Sequence, residues 1–352
     1  MSDLYVAAGG GGDPLGTLIA ARTLAPSADP PVIATYAWER AEVSLLTEPL
    51  GERHFTGLSQ GAHGAPAFTP DTRPRPPAGS TLPALARDLP ARLLLLDPAD
   101  GLAPLARRIG AAAAAAGGRV RIVDIGGDIL THGDEPGLCS PFGDALTLAA
   151  CHLSGVPTTV HVAGPGLDGE IDEHCLLGRL RGHGHHDPSP AAVSAAARAL
   201  AWHPSEASAL WAAAVLGARG TARAVHHTAV LGEASPRLYR MPLEDAVGHN
   251  PVARALIGER PATLQEAADL SHRLTGIPGL APERTLTPRQ DPPAAPAPLP
   301  DREVALKTLR AAAPGADHVT LRYAARTLGL AWTDIPALRD ILGSRTPLLR
   351  LS

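Results

Sequence analysis

Short apolar runs separated by segments of helical period recur along the first half of this chain, and that alternation restricts the fold more than any other feature. The runs are Leu4 to Ala8, Val32 to Trp38, Leu93 to Asp97, Val120 to Ile125, Thr158 to Ala163 and, less regularly, Ala224 to Leu231. Between them lie Leu15 to Leu24, Leu82 to Leu89, Leu102 to Ala116, Asp144 to Ser154 and Glu170 to Leu180, which are amphipathic or alanine-rich. Strands without a polar face, alternating with helices of roughly 10–15 residues, build βαβ units and a parallel sheet covered on both faces. The expected fold is therefore α/β: a mostly parallel, Rossmann-like doubly wound sheet with helical additions toward the C-terminus. Arg53 to Ser80 has neither period and reads as a long loop or lid.

Beyond Pro188 the pattern turns helical over Ala191 to Ala201, Ser205 to Leu216, Glu244 to Ile257 and Leu264 to Thr275. Residues 281–300 contain Asp291-Pro292-Pro293-Ala294-Ala295-Pro296-Ala297-Pro298-Leu299-Pro300, which buries little and favours extended polyproline backbone. They read as a linker between an α/β ligand-binding domain, 1–280, and a small helical unit, 301–352. Leu321 to Leu342 can be drawn as a helix-turn-helix, but eight Arg or Lys against five Asp or Glu from Asp301 onward is too small an excess for nucleic acid. Docking or dimerisation suits the unit better.

The formal net charge of −4 leaves no electrostatic footprint for nucleic acid or an anionic membrane. No apolar run approaches the roughly 20 residues of a membrane helix, and the N-terminus has no signal-peptide pattern. Cys139, Cys151 and Cys175 lack paired spacing. These features point to a cytoplasmic chain with a small-molecule substrate, no nucleic-acid or membrane partner, and scope for a homo-oligomer.

Acids and glycines gather where the apolar runs stop. Gly9-Gly10-Gly11-Gly12-Asp13 follows the first run and opens a helix, with Pro14 in its first turn. Glycines there let a ligand approach backbone N–H groups. The spacing misses G-x-G-x-x-G, and the next strand end offers only Glu39 as a ribose acid, so no dinucleotide is expected. Val123-Asp124-Ile125-Gly126-Gly127-Asp128 ends the fourth run and continues through Asp134-Glu135 to Ser140-Pro141-Phe142-Gly143-Asp144. Gly164-Pro165-Gly166-Leu167-Asp168-Gly169-Glu170 ends the fifth. Carboxylates at several strand ends can chelate a hard cation, or hold one group as a base. Asp144, beside Ser140-Pro141, reads as a helix cap, while Glu206 and Ser208 are weaker candidates. His183-Gly184-His185-His186-Asp187 resembles metal-ligand spacing but reads as a solvated loop.

The blocks Ala7 to Asp13, Ala37-Trp38-Glu39-Arg40, Val123 to Asp128, Gly133 to Leu138 with Ser140-Pro141, Gly164-Pro165-Gly166 with Asp168-Gly169-Glu170, and Glu206-Ala207-Ser208 resemble domain of unknown function 1152. The likeness runs from residue 5 to about 240. It implies one ligand-binding α/β domain and brings no established reaction. It also draws attention to Trp38, Glu39 and Arg40 near the first loop. The family pattern has a Cys before Asp-Gly-Glu, where this chain has Leu167, so a thiol role does not carry over.

The functional expectation is a small-molecule metabolic enzyme, a divalent-cation-assisted hydrolase of a nucleoside, sugar or phosphorylated metabolite. Asp124, Asp128, Asp134 and Glu135 are the expected catalytic acids. Gly10, Gly11, Gly12, Asp13, Trp38, Glu39, Arg40, Gly126, Gly127, Ser140, Gly166, Asp168 and Glu170 are expected to bind substrate. Asp13, Asp124 and Asp128 are expected to hold Mg²⁺, Mn²⁺ or Ca²⁺. One alternative is a lyase, cyclase or transferase whose acids bind a cationic amino group; another is a non-catalytic regulatory protein that binds a ligand.

Overall fold

A computed structural model describes residues 3–27, 29–46, 48–60, 64–280 and 298–351; most of the expected linker, 281–297, lies outside the described residues. The strands in chain order are β1 (Leu4–Ala7), β2 (Val32–Tyr36), β3 (Phe55–Thr56), β4 (Arg73–Pro74), β5 (Arg92–Leu96), β6 (Val120–Ile125) and β7 (Thr158–Ala163). They continue with β8 (His185–His186), β9 (Gly220–Arg223), β10 (Thr228–Leu231), β11 (Leu238–Pro242), β12 (His318–Thr320) and β13 (Leu348–Arg350). A seven-stranded sheet in the order β5-β2-β1-β6-β7-β11-β8 forms the centre; its first five strands are parallel and β11 runs antiparallel to β7.

Both faces are covered, as strands apolar on both sides require. Leu4 and Val6 of β1 pack with Leu105, Ile109 and Phe142 from the helices Leu102–Ala115 and Pro141–Ser154. Tyr5 and Ala7 face the other way, against Leu15, Leu18 and Leu210 from the helices Asp13–Leu24 and Glu206–Val215. The doubly wound expectation holds.

Several details depart from the sequence reading, three of them in how the elements are joined. The expected helix from Glu244 to Ile257 is two helices, Leu243–His249 and Pro251–Glu259. Pro251 has no N–H to continue the first, and Asn250 caps the second by accepting from the Ala253 N–H at 2.9 Å. The expected loop from Arg53 to Ser80 carries the short β3–β4 hairpin and ordered turns. The C-terminal unit is not purely helical: β12 and β13 extend the β9–β10 hairpin into a second sheet, in the order β10-β9-β12-β13. Three-residue strands are too short to display an alternation, and β12 pairs with a strand far upstream. Ala305, Leu309, Val319, Leu321 and Leu338 form that unit's own core.

Arg322 joins the unit to the main domain. Its Nε lies 2.7 Å from Oε1 of the exposed Glu42, and its Nη1 3.2 Å from Glu206 Oε2, where both side chains are buried. Glu206 Oε1 also accepts the Val225 N–H at 3.0 Å and the Thr320 hydroxyl. Removing one partner of a buried pair strands the others without compensation. Arg322→Ala is therefore expected to lower the unfolding free energy by about 3–5 kcal/mol in urea titration, and a loss within measurement error would contradict this assignment.

Candidate functional site

The strand order decides where a ligand can sit. The chain leaves β1 for the helix Asp13–Leu24 on one face and leaves β6 for the helix Pro141–Ser154 on the other. Crossovers diverging from neighbouring parallel strands open a crevice at their carboxyl ends, the usual ligand site of open α/β sheets. A cavity of about 180 Å³ opens there, small beside the roughly 300–1,000 Å³ of drug-sized ligand pockets. Seven acids line it: Asp13, Glu39, Asp124, Asp128, Asp144, Asp168 and Glu170. Among the described lining residues, Arg40 is the one arginine or lysine beside them.

Each acid arrives from its own strand end or turn. Asp13 opens the helix after β1, and its carboxylate folds back against Gly9, where any Cβ would collide with it. Asp124 is the penultimate residue of β6, and Asp128 begins the 3-10 turn Asp128–Leu130. Between them Gly126 sits at φ +130° with its Cα facing the Asp168 carboxylate, a backbone state and a clearance that only glycine supplies. Asp144 projects from the first turn of the helix Pro141–Ser154. Ligand oxygens of Asp124, Asp128 and Asp144 all lie within 4.8 Å of one another, and all three residues are buried. Asp124 Oδ2, Asp144 Oδ1 and Asp168 Oδ2 have no hydrogen-bond partner among the described residues.

Two of the acids expected to contact the ligand also fasten the walls. Glu39 accepts the Ser80 hydroxyl at 2.7 Å and the Thr81 N–H at 2.8 Å. Glu170 accepts the Cys139 and Ser140 N–H groups at 2.8 and 2.9 Å and the Ser140 hydroxyl at 2.7 Å, fastening the 137–140 turn over the crevice. Trp38 stands edge-on to Phe142 with ring centroids 5.9 Å apart and forms a side wall.

The structure thus brings together Gly10, Gly11, Gly12, Asp13, Trp38, Glu39, Arg40, Asp124, Asp128, Ser140, Asp168 and Glu170. Gly126, Gly127 and Gly166 shape the turns beneath without lining the cavity. Asp134 and Glu135 do not reach it. Asp134 is exposed, and Glu135 turns to Arg179 at 2.7 Å, the His132 N–H at 2.7 Å and the Thr131 hydroxyl. Burial alone would raise the Glu135 carboxyl, but these donors outweigh it and hold it down to about 2. Its position in an acidic glycine stretch was a misleading signal, because the chain turns away from the crevice after Leu130.

Asp144 belongs to the cluster and not to the helix cap; Ser140 occupies the N-cap position without a side-chain cap bond. His203 also lines the cavity and has no motif around it, beyond standing with Trp202 and Pro204 as a break between two alanine-rich helices. The His183 to Asp187 loop is mostly exposed at the far sheet edge, where β8 pairs with β11.

The sequence profile of the protein family of unknown function DUF1152 matches residues 4–287. The chain belongs to that family. Its matched region holds the central sheet and every acid of the crevice, whereas β12, β13 and Arg322 lie beyond it. No curated protein and no solved structure matches the chain. Among the described residues no helix is long and apolar enough to cross a membrane.

Crowding sets the electrostatics of this family domain. Burial pushes the Asp124, Asp128 and Asp144 carboxyls well above the usual range, and neighbouring negative charge raises them further. For Asp124 and Asp128 the largest such influence is Asp144; for Asp144 it is Asp13. Burial likewise lifts Asp13 and Asp168 to about 7. A carboxyl that holds its proton more tightly when folded makes stability fall as pH rises from its unfolded value toward its folded one. For Asp168 that window runs from 3.8 to about 7. Buried His203 and His161, both held down to about 3, contribute with the opposite sign. Asp168→Asn, compared with the parent protein in chelator, cancels the histidine contribution. The variant's advantage in thermal midpoint is expected to grow from pH 4 to pH 7; a constant or shrinking difference would refute the shift.

Proposed function

We propose that the chain is a small-molecule metabolic enzyme, a divalent-cation-assisted hydrolase acting on a nucleoside, sugar or phosphorylated metabolite. One observation carries the reading: the ligand oxygens of Asp124, Asp128 and Asp144 converge within 4.8 Å, and two of these buried carboxylates keep an oxygen without a partner among the described residues. Carboxylate oxygens suit the hard cations Mg²⁺, Mn²⁺ and Ca²⁺. The set revises the sequence expectation by exchanging Asp13 for Asp144 as third ligand. The absence of paired cysteine spacing in the sequence supports a reducing, cytoplasmic setting.

A divalent cation, when bound, makes a water more acidic and offsets negative charge on the substrate. Asp168, which lines the crevice and whose Oδ2 has no hydrogen-bond partner among the described residues, would take the proton of the attacking water. The water oxygen joins the electrophilic carbon or phosphorus as the bond to the leaving group breaks. Asp13, which also lines the crevice and whose carboxyl is raised by burial, returns a proton to that leaving group. Trp38 and the turn fastened by Glu170 limit access of bulk water.

Screening purified protein against nucleosides, sugars and phosphorylated metabolites, with each cation and with chelator, tests this reading. Turnover is expected to need the cation. Asp124→Asn should reduce it by more than the roughly 10–100-fold lost with an outer-shell partner, with the fold intact by circular dichroism. Turnover indifferent to chelator would transfer the acids to a cationic amino group of the substrate and overturn the cation-assisted mechanism.

A further inference from the structure

The buried polar atoms without partners around the crevice are three acceptors and one donor. Asp124 Oδ2, Asp144 Oδ1 and Asp168 Oδ2 have no hydrogen-bond partner among the described residues. The donor belongs to His203, which is 8% exposed and lines the same cavity beside the glycine turn; a Cβ on Gly12 would stand 3.5 Å from its Cε1. Its Nδ1 accepts the Ser205 N–H at 3.1 Å, so in the neutral ring Nε2 carries the hydrogen. Burial, reinforced by the Arg40 charge, holds the ring down to about 3 and keeps it neutral at physiological pH. Nε2 has no partner among the described residues, a costly state for a buried polar group.

An ionic ligand suits this setting poorly. Arg40 is the one arginine or lysine among the described lining residues, and its charge acts on Asp13 and Glu39, whose carboxyls burial raises and the arginine draws back. The amides of the glycine turn are engaged as well, Gly9 N–H with the Asp13 carboxylate and Gly11 N–H with the Trp38 carbonyl at 2.9 Å. Three ionised aspartates around one divalent cation keep a net negative charge. A phosphate beside them needs positive charge or free N–H donors that these groups do not spare. A substrate ammonium, in turn, would meet the bound cation as a like charge. A hydroxyl meets every group present: it donates to a carboxylate, accepts from an N–H and binds a hard cation through oxygen.

Size points the same way. The cavity of about 180 Å³ is close to the roughly 150 Å³ that encloses one benzene ring, so it takes one sugar-sized ring and leaves the rest of a larger substrate outside. A hard divalent cation takes about six or more oxygen ligands. Asp124, Asp128 and Asp144 supply the first of these, and positions remain for two neighbouring hydroxyls and the attacking water. We propose that the substrate enters the crevice as a neutral sugar ring, with two adjacent hydroxyls on the aspartate-held cation and a further oxygen accepting from His203 Nε2–H. This rests on the cation-centre reading and removes phosphorylated metabolites from its substrate classes, leaving sugars and the ribose of nucleosides. The attacking water shares the cation with the hydroxyl pair, which places the C2 hydroxyl, next to the reacting C1, in that pair.

The probes are Mn²⁺ alone, then D-ribose, D-glucose and inosine added to the Mn²⁺-loaded full chain, each paired with its 2-deoxy form and its terminal phosphate, with calorimetric readout. The parent protein is expected to bind Mn²⁺ and then at least one of the three neutral ligands. The 2-deoxy form should bind about 10–100-fold more weakly, the loss of one oxygen held by charged groups, and the phosphate more weakly than the neutral form. Preference for inosine assigns the nucleoside and preference for a free sugar assigns the sugar; both support the proposal. In His203→Ala, Mn²⁺ affinity should stay unchanged, which also reports an intact fold, while affinity for the neutral ligand falls about 3–10-fold, the loss of one neutral hydrogen bond. Tighter binding of the phosphate, an undiminished 2-deoxy form, unaltered ligand affinity in His203→Ala, or Mn²⁺ binding with none of the three neutral ligands would each overturn the sugar-ring assignment and leave the cation centre standing. Absence of Mn²⁺ binding would overturn both. Should His203→Ala lose Mn²⁺ as well, the 2-deoxy and phosphate comparisons on the parent protein decide alone.

Discussion

Carboxylates from separate strand ends share one poorly solvated crevice, and their mutual repulsion has to be met by protons or by a cation. Five aspartates carry raised pKa values for that reason, burial being the larger cause and like charge the next. A fold gains nothing in stability from this arrangement, since ionised groups of one sign lose hydration and gain no partner. Sheet order enforces it nonetheless. With β1 beside β6 and their crossovers on opposite faces, the loops after both strands and the first turn of Pro141–Ser154 can only meet at the carboxyl ends.

The walls of the crevice show how the domain holds that arrangement. Glu39 and Glu170 are saturated by hydroxyl and backbone donors and act as fasteners for the 80–81 and 137–140 segments. Asn250 donates to the Ile129 carbonyl at 3.1 Å, so the helix break at Pro251 also anchors the turn that carries Asp128. Arg322 reaches in from the C-terminal unit to Glu42, two residues beyond Arg40, and to Glu206 at the start of the helix behind Gly12. A unit beyond the family domain is thus tied to two walls of its crevice.

Much of this was legible in the sequence. The five parallel strands are apolar on both faces and bounded by acid–glycine turns, so their existence and type followed from pattern alone. β11 was not legible, because Arg240 and Pro242 interrupt its apolar character at the antiparallel edge. β12 and β13 span three residues each and take their register from distant partners. Within the site, Asp13, Asp124, Asp128 and Asp168 stood out because glycines flank them. Asp144 did not, since a first-turn aspartate after Ser-Pro has an ordinary explanation in helix electrostatics. Glu135 shared the composition of the site residues but not their direction. His203 carries its information in a tautomer and a neighbouring glycine turn, neither of which a single sequence displays.

The most direct measurement is the proton balance of cation binding. Titrating chelator-treated protein with Mn²⁺ in two buffers of different ionisation enthalpy at pH 7 separates the heat of proton release from the heat of binding. Carboxyls that hold protons in the free protein must give them up to serve as ligands. The account predicts binding accompanied by proton release, with both lost in Asp124→Asn. Binding with no protons released, or no binding at all, would contradict a buried aspartate centre that trades its protons for a cation.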